Sequence, residues 1–508
     1  MIARVISAVL WGVEGVVVEV EVDVSPGIPH FEIVGLPMAE VREARERVRA
    51  AVKNSGFDFP LRRITVNLVP PEIRKRGGHL DLPLAAGLLL ATGQIREEAW
   101  REMAFLGSLG LDGRIKSVAG IFPLVEALVE RGYRKICLPR SSLPEAEEAG
   151  RGATFFPADS LADLGRHPKT AGETGGKTGP PGSPCLPEPD PDIPFLIWGQ
   201  EQARRAALVA AAGGHHLLLL GPPGVGKTTL ARAVARLLPP PGEKEEKEIR
   251  KIHSAAGLPP PRGRPFRQVF PGITLPALLG GGDPPRPGEV TLAAHGVLFL
   301  DELPEFPSSL LGPLRGVMED KKVELSRVSY RITYPAGFQL VASANPCPCG
   351  YLGDRWKRCR CSPRSLERYR RRLEGPFRDR LDLQVYLPRL RPEEMGGREE
   401  KTDGGKDLRA AILRARERQA RRYAEEGFSR NGDLPGSLLR RYVVMEDKAE
   451  EALREAVARC GLSGRAYTGL VRVARTVADL EEEERVGLPH LLEALSYRML
   501  DTMEARAG

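Results

Sequence analysis

The sequence contains no apolar run long enough to cross a bilayer. Its longest, Leu217-Leu-Leu-Leu220 and Val297-Leu-Phe-Leu300, fall far short of the roughly 20 residues that a span needs. The start, Met1-Ile-Ala-Arg-Val-Ile-Ser, lacks the cationic segment, apolar stretch and small-residue cleavage site of a secretory signal. These absences predict a cytoplasmic protein with no membrane partner. No segment repeats at a solenoid period. Cysteine is sparse: there are seven, an odd number, and four of them fall between 347 and 361. A disulfide framework is not expected from this pattern, whereas clustered thiols in a cytosolic chain favour a metal.

What is present is ordinary globular material, 42% hydrophobic and 28% charged over 508 residues. That length suggests two to four domains. The net charge of +8 permits a polyanionic partner without requiring one. Residues 1–165 open on Val16-Val-Val-Glu-Val-Glu-Val-Asp-Val24, whose alternation predicts an amphipathic strand. A helix is expected over 41–54, a strand over 63–69, and helices over 82–92 and 121–131, giving an α/β or α+β domain. Residues 166–193 are rich in Gly, Pro and Thr and read as a flexible linker. Residues 194–391 alternate buried strands with helices, the pattern of a parallel-sheet nucleotide-binding core. Residues 392–508 are helical, with helices expected over 408–426, 435–442, 448–460, 467–480 and 488–499. The fold class is therefore multidomain α/β.

The core carries the chemistry. After the strand at 216–220 come Gly221, Pro222, Pro223, Gly224, Val225, Gly226, Lys227 and Thr228, and Thr229 continues into a helix. Strand, Gly-rich loop and helix form the setting of a phosphate-binding loop. The glycines let backbone N–H groups face the phosphates, and the helix start adds partial positive charge. Lys227 would reach the β- and γ-phosphates of ATP, and the Thr228 hydroxyl would ligate Mg²⁺. The apolar strand ending at Leu300 delivers Asp301 to the Mg²⁺ shell and Glu302 to the attacking water as general base. A third strand ends at Asn345, a polar group for the γ-phosphate or the water. Arg378 and Arg380 share a compact turn, and either could serve a neighbouring subunit as a phosphoryl-stabilising arginine. Cys347, Cys349, Cys359 and Cys361 supply four thiols, enough to close a tetrahedral Zn²⁺ site, among Lys357, Arg358, Arg360 and Arg364.

These motifs together resemble the AAA+ ATPases, and more narrowly the magnesium-chelatase-like ComM (YifB) family. The resemblance covers nearly the whole chain apart from the linker. It rests on Phe31-Glu-Ile-Val-Gly-Leu-Pro37, Gly199-Gln-Glu201, Arg286-Pro-Gly-Glu289, Leu300-Asp-Glu-Leu-Pro-Glu305, Asn345-Pro-Cys-Pro-Cys-Gly350 and Ala474-Arg-Thr-Val-Ala-Asp-Leu480, among others. It implies a Lon/S5-like N-terminal domain, an AAA+ core with a four-cysteine insert at 347–361, and a C-terminal helical lid. No Ser/Lys protease pair stands in the N-terminal region, so proteolysis is not expected. The resemblance further implies sensor 1 at Asn345, an arginine finger acting in trans at Arg380 and sensor 2 at Arg465. Where the family usually carries paired His after Arg264-Pro-Phe-Arg267, this chain reads Gln268-Val-Phe-Pro.

A hairpin before Asn345 is also implied. It would bring Lys321, Lys322, Arg327 and Arg331 to DNA phosphates in the pore of a ring. The expected function is that of a hexameric, ATP-dependent DNA motor, a branch-migration helicase of recombination and natural transformation. Its partners would be single-stranded or branched DNA and further copies of the chain. The alternative is a magnesium-chelatase-like motor subunit or a protein-remodelling AAA+ ATPase.

Overall fold

The computed structural model describes residues 2–75, 77–100, 102–166, 170, 200–283, 285–327, 330–373, 377–391 and 404–498. The linker expected over 166–193 lies almost wholly outside these residues, as does Met499.

The N-terminal residues form a seven-stranded mixed sheet. Its order is His30–Val34, Arg63–Val69, Glu14–Ser25, Ile2–Trp11, Met103–Phe105, Lys135–Pro139 and Thr154–Ala158. The valine alternation sets the geometry. Val18, Val20, Val22 and Val24 are buried along Glu14–Ser25, and Val20 sits opposite Val5 on one side and Leu68 on the other. A one-residue slip would turn all of them away from the core, so the pattern fixes the register. Helices Ala39–Asn54 and Asp81–Ala91 cover that face, and Ile121–Glu130 covers the opposite one.

The central unit is a five-stranded sheet in the order Phe266–Val269, Val297–Leu300, Gln339–Ala344, Leu217–Leu220 and Leu383–Tyr386. Every neighbouring pair runs parallel. Leu217–Leu220, Val297–Leu300 and Gln339–Ala344 are buried at each position. Continuous apolar strands are what a parallel sheet covered on both faces requires. Helices Glu201–Gly213 and Lys227–Leu237 cover one face together with the C-terminal helices. Helix Ser308–Asp320 and a hairpin cover the other.

The C-terminal residues form helices Gly404–Arg422, Asp447–Cys460, Gly464–Leu480 and Leu488–Ser496, near the expected bounds. The helix expected to start at Pro435 is instead a 3-10 turn, Gly436–Leu438, leading into Leu439–Tyr442, with Pro435 extended as its cap. Helix Gly464–Leu480 is the hub. Its Thr476 hydroxyl bonds Nε2 of buried His215 at 2.7 Å, and the other ring nitrogen meets Asp382 at 3.1 Å. Buried Asp479 on the same helix is held by Arg422, Arg475 and Asn431. Removing a partner would leave that charge buried and poorly matched.

Helix Glu243–Ala255 ties the N-terminal sheet to the central unit. Lys251 Nζ lies 2.6 Å from Glu14 and 2.9 Å from Glu126, while Lys247 also pairs with Glu126 and Arg250 with Glu148. The Gly120 N–H donates to the Ser254 carbonyl at 2.8 Å.

Candidate active site

A parallel sheet has two unlike edges, and the candidate residues divide between them. At the carboxyl edge, Leu220, Leu300 and Ala344 end their strands together. They deliver Gly221, Asp301 and Asn345 to one place. Gly224 and Gly226 hold φ of 81° and 92°, conformations that glycine alone adopts without strain. A Cβ on Gly221 would stand 2.5 Å from the Leu387 carbonyl oxygen. Gly226 caps helix Lys227–Leu237, so Lys227, Thr228 and Thr229 form its first turn, with unpaired N–H groups and the positive end of the helix dipole.

The Lys227 ammonium donates to the Gly221 carbonyl at 2.5 Å, to the Pro222 carbonyl at 3.1 Å and to Asn345 Oδ1 at 2.8 Å. Burial pulls it down to about 8, against Asp301 and Glu302, which act to raise it. It is still mainly protonated at neutral pH. Ser343, on the neighbouring strand, donates to Asp301 Oδ1 at 2.6 Å and accepts the Glu302 N–H at 3.0 Å. Glu302 sits at a left-handed φ of 59°, a strained position for a non-glycine residue of the kind that clusters at functional sites. The Asn345 carbonyl accepts from the Tyr369 hydroxyl at 3.0 Å, which fixes the strand end. Thr228 and Asp301 are the oxygen donors that fit a Mg²⁺ ion, and the glycine cradle fits the phosphates of ATP.

At the amino edge a different group gathers. Arg380 lies in the 3-10 turn Arg378–Arg380, just before strand Leu383–Tyr386, whose Leu383 pairs with Leu217 at the start of its strand. Arg465, in the first turn of Gly464–Leu480, reaches the same place. Arg465 donates to Glu319 at 2.7 Å, and Arg380 pairs with the same carboxylate oxygen. They line a cavity of about 380 Å³ with Glu319, Lys321, Arg430, Asp433 and Arg472. Arg465 therefore does not lie over its own chain's phosphate loop. It stands a full strand length away, on the side of Arg380.

The four cysteines form a compact knuckle directly after Asn345. All four sulfurs lie within 4.8 Å of one another, and Cys347 Sγ is 3.3 Å from Cys349 Sγ and 3.7 Å from Cys359 Sγ. Zinc bound about 2.3 Å from each sulfur needs sulfurs about 3.8 Å apart, so the donor set fits. In the structure the Arg360 backbone N–H is the main cause that brings Cys349 down to about 6.

The expected hairpin is present, as Lys322–Arg327 paired with Tyr330–Pro335. Its four cations are not equivalent. Lys321 sits at the base, 2.7 Å from Asp433 in the amino-edge cavity. Lys322 and Arg331 flank Glu324 at 2.6 and 3.7 Å. Arg327 stands exposed at the far end, with no acidic partner among the described residues.

Comparison with known proteins identifies the family. Residues 195–395 match the family described as magnesium chelatase, subunit ChlI. Residues 20–142 match subunit ChlI of Mg-chelatase, and 403–498 match its C-terminal part. The chain is 37% identical to the competence protein ComM of Haemophilus influenzae over 511 residues, covering 98% of each. It is 36% identical to the YifB protein of Salmonella typhimurium, over 97% of this chain and 96% of that one. The YifB protein of Escherichia coli is 37% identical, again over 97% and 96%. The chain belongs to the magnesium-chelatase-like ComM/YifB family.

It is thus an AAA+ ATPase of the ComM/YifB type, a family that implies ATP and Mg²⁺ as ligands. Among the described residues, no helix is long and apolar enough to cross a membrane. Three residues of the ComM/YifB site were not legible in the sequence. Ser343 orients Asp301 only because Leu300 pairs with Ala342 across the sheet. Gln268, in the segment that departs from the family's paired His, lies 3.4 Å from Asp301 Oδ2. Glu319 gains its role from two arginines that lie 61 and 146 positions away.

Proposed function

We propose that this protein is a ring-forming ATPase that drives DNA branch migration, with each ATP site built from two subunits. The observation that carries the reading is the division of the site between opposite edges of one sheet. Lys227, Asp301, Glu302 and Asn345 stand at the carboxyl edge; Arg380 and Arg465 share Glu319 at the amino edge. Within one chain the two groups stand at opposite ends of the same strands, whereas head-to-tail packing in a closed ring, a hexamer in this reading, brings one subunit's amino edge to the next one's carboxyl edge.

In the assembled site the Gly224 and Gly226 backbone and Lys227 bind the phosphates. Thr228 and Asp301 hold Mg²⁺, which neutralises charge on the phosphate oxygens when bound. Glu302 takes the proton of the attacking water, and Asn345 orients it. The neighbour's Arg380 and Arg465 meet the charge that builds on the transferring phosphoryl group. To do so they exchange Glu319 for phosphate oxygens, so the two acceptors compete for the same guanidinium groups.

In this reading residues 1–165 form a Lon/S5-like domain and 392–508 a helical lid, whose Arg465 serves the adjacent site. The knuckle holds zinc. DNA as the load is supported by the hairpin, with Arg327 at its far end, and by the relative named a competence protein. The chelatase descriptions of the matching families favour a second reading, a motor for a metal-inserting or protein-remodelling partner. The two part on one assay. Branched DNA is expected to raise the ATPase rate several-fold and to be resolved in an ATP-dependent manner. A rate indifferent to DNA, with no strand displacement, would point to the second reading.

A further inference from the structure

The cysteine knuckle places an aromatic ring and a set of unneutralised cations on one outer surface. Asp354 builds the turn: its buried carboxylate accepts the Trp356 N–H at 2.8 Å and the Lys357 N–H at 2.9 Å, and lies 3.4 Å from Arg389. The turn throws the Trp356 side chain outward, 49% exposed, where burial would be the rule for so large an apolar group. Around it the chain from 355 to 372 carries nine Lys and Arg against the single acid Glu367. Helix Pro363–Leu373 continues the surface. Its Tyr369 is buried against the Asn345 carbonyl, which turns Arg364 and Arg368 to solvent. Among the described residues, no acidic side chain pairs with Arg358, Arg360, Arg364 or Arg368, whereas Lys322 and Arg331 on the hairpin share Glu324.

We propose that this surface is a second nucleic-acid site, selective for single-stranded DNA, in which an unpaired base stacks on Trp356 while Arg358, Arg360 and Arg364 hold the adjoining phosphates. A paired base offers its π-face only to its neighbours in the duplex, so an exposed indole selects bases that are already unstacked. The cations add affinity without sequence preference. The knuckle packs on the phosphate loop, since a Cβ on Gly350 would come 2.8 Å from Pro223. Strand capture would therefore act on an element whose Gly350 end touches the ATP site. The inference rests on the DNA reading above and names where, apart from the hairpin, an opened strand is held.

The test is anisotropy of a labelled oligo(dT), and of a duplex of equal length, titrated with full-length, zinc-loaded protein at several salt concentrations. Trp356→Ala is expected to weaken oligo(dT) binding roughly 5- to 100-fold and duplex binding far less, and Trp356→Phe to keep most of the affinity. Arg358→Gln with Arg360→Gln is expected to lower the slope of log affinity against log salt by about 1.4. Should Trp356→Ala lose zinc, Trp356→Leu against Trp356→Phe carries the comparison, with loss expected for Leu alone. Wild-type binding that is unchanged in Trp356→Ala, or lost equally for duplex and single strand, overturns this site and leaves the motor reading standing. A wild-type protein that binds no DNA overturns both.

Discussion

Lys227 shows how a single residue reports on the site. Its ammonium is buried among carbonyl groups and titrates at about 8 in the free protein. Phosphates favour the charged form, so above that pH nucleotide binding must take up a proton. Affinity for a fluorescent ATP analogue is expected to be flat below about pH 7. Above about 8 it should fall by up to about tenfold per pH unit. Lys227→Gln should bind weakly with a flat profile. An unchanged wild-type affinity at pH 9.5 would mean that Lys227 does not hold the phosphates. The glycine loop, Lys227, Asp301 and Asn345 were legible because each follows a short apolar strand, and local chemistry defines them. Ser343, Gln268 and Glu319 were not, because each works through a residue brought near only by strand pairing or helix packing.

At the scale of elements, the apolar strands and the long amphipathic helices were legible within a few residues, because periodicity and burial coincide in them. Pro435 misled. A proline suits the first turn of a helix, yet here Gly436 follows it and the chain makes a 3-10 turn. The knuckle was legible as four thiols; its place against the phosphate loop was not. In the proposed zinc-bound form that place would couple the metal to the ATP site, since the knuckle links Asn345 to the helix leading towards Arg380. Cys359→Ser is expected to reduce bound zinc well below one equivalent, measured by mass spectrometry of metals. Its ATPase rate should fall at least tenfold while helix content by circular dichroism stays near wild type. A metal-free variant with full activity would reduce the knuckle to a bystander of the reaction.

The whole molecule is best understood from the direction of its central sheet. Sequence resemblance assigned Arg380 to a neighbour and Arg465 to a lid, but could not say which site that lid serves. The parallel strands answer for a single chain: both arginines stand at the amino edge, joined through Glu319, and the phosphate loop stands at the other. An ATPase so divided should be inactive as a monomer and should depend on protein concentration. Its two halves should also be separable by mutation.

The most direct measurement mixes two inactive proteins. Lys227→Ala removes the phosphate-binding lysine and keeps Arg380; Arg380→Ala does the reverse. Each alone is expected to lose about a thousandfold or more in ATPase rate. Mixed in equal amounts with branched DNA, they form interfaces where an intact Lys227 faces an intact Arg380, and a substantial fraction of wild-type activity should return. A mixture no more active than the sum of its parts, under conditions where the subunits co-assemble, would contradict the shared site.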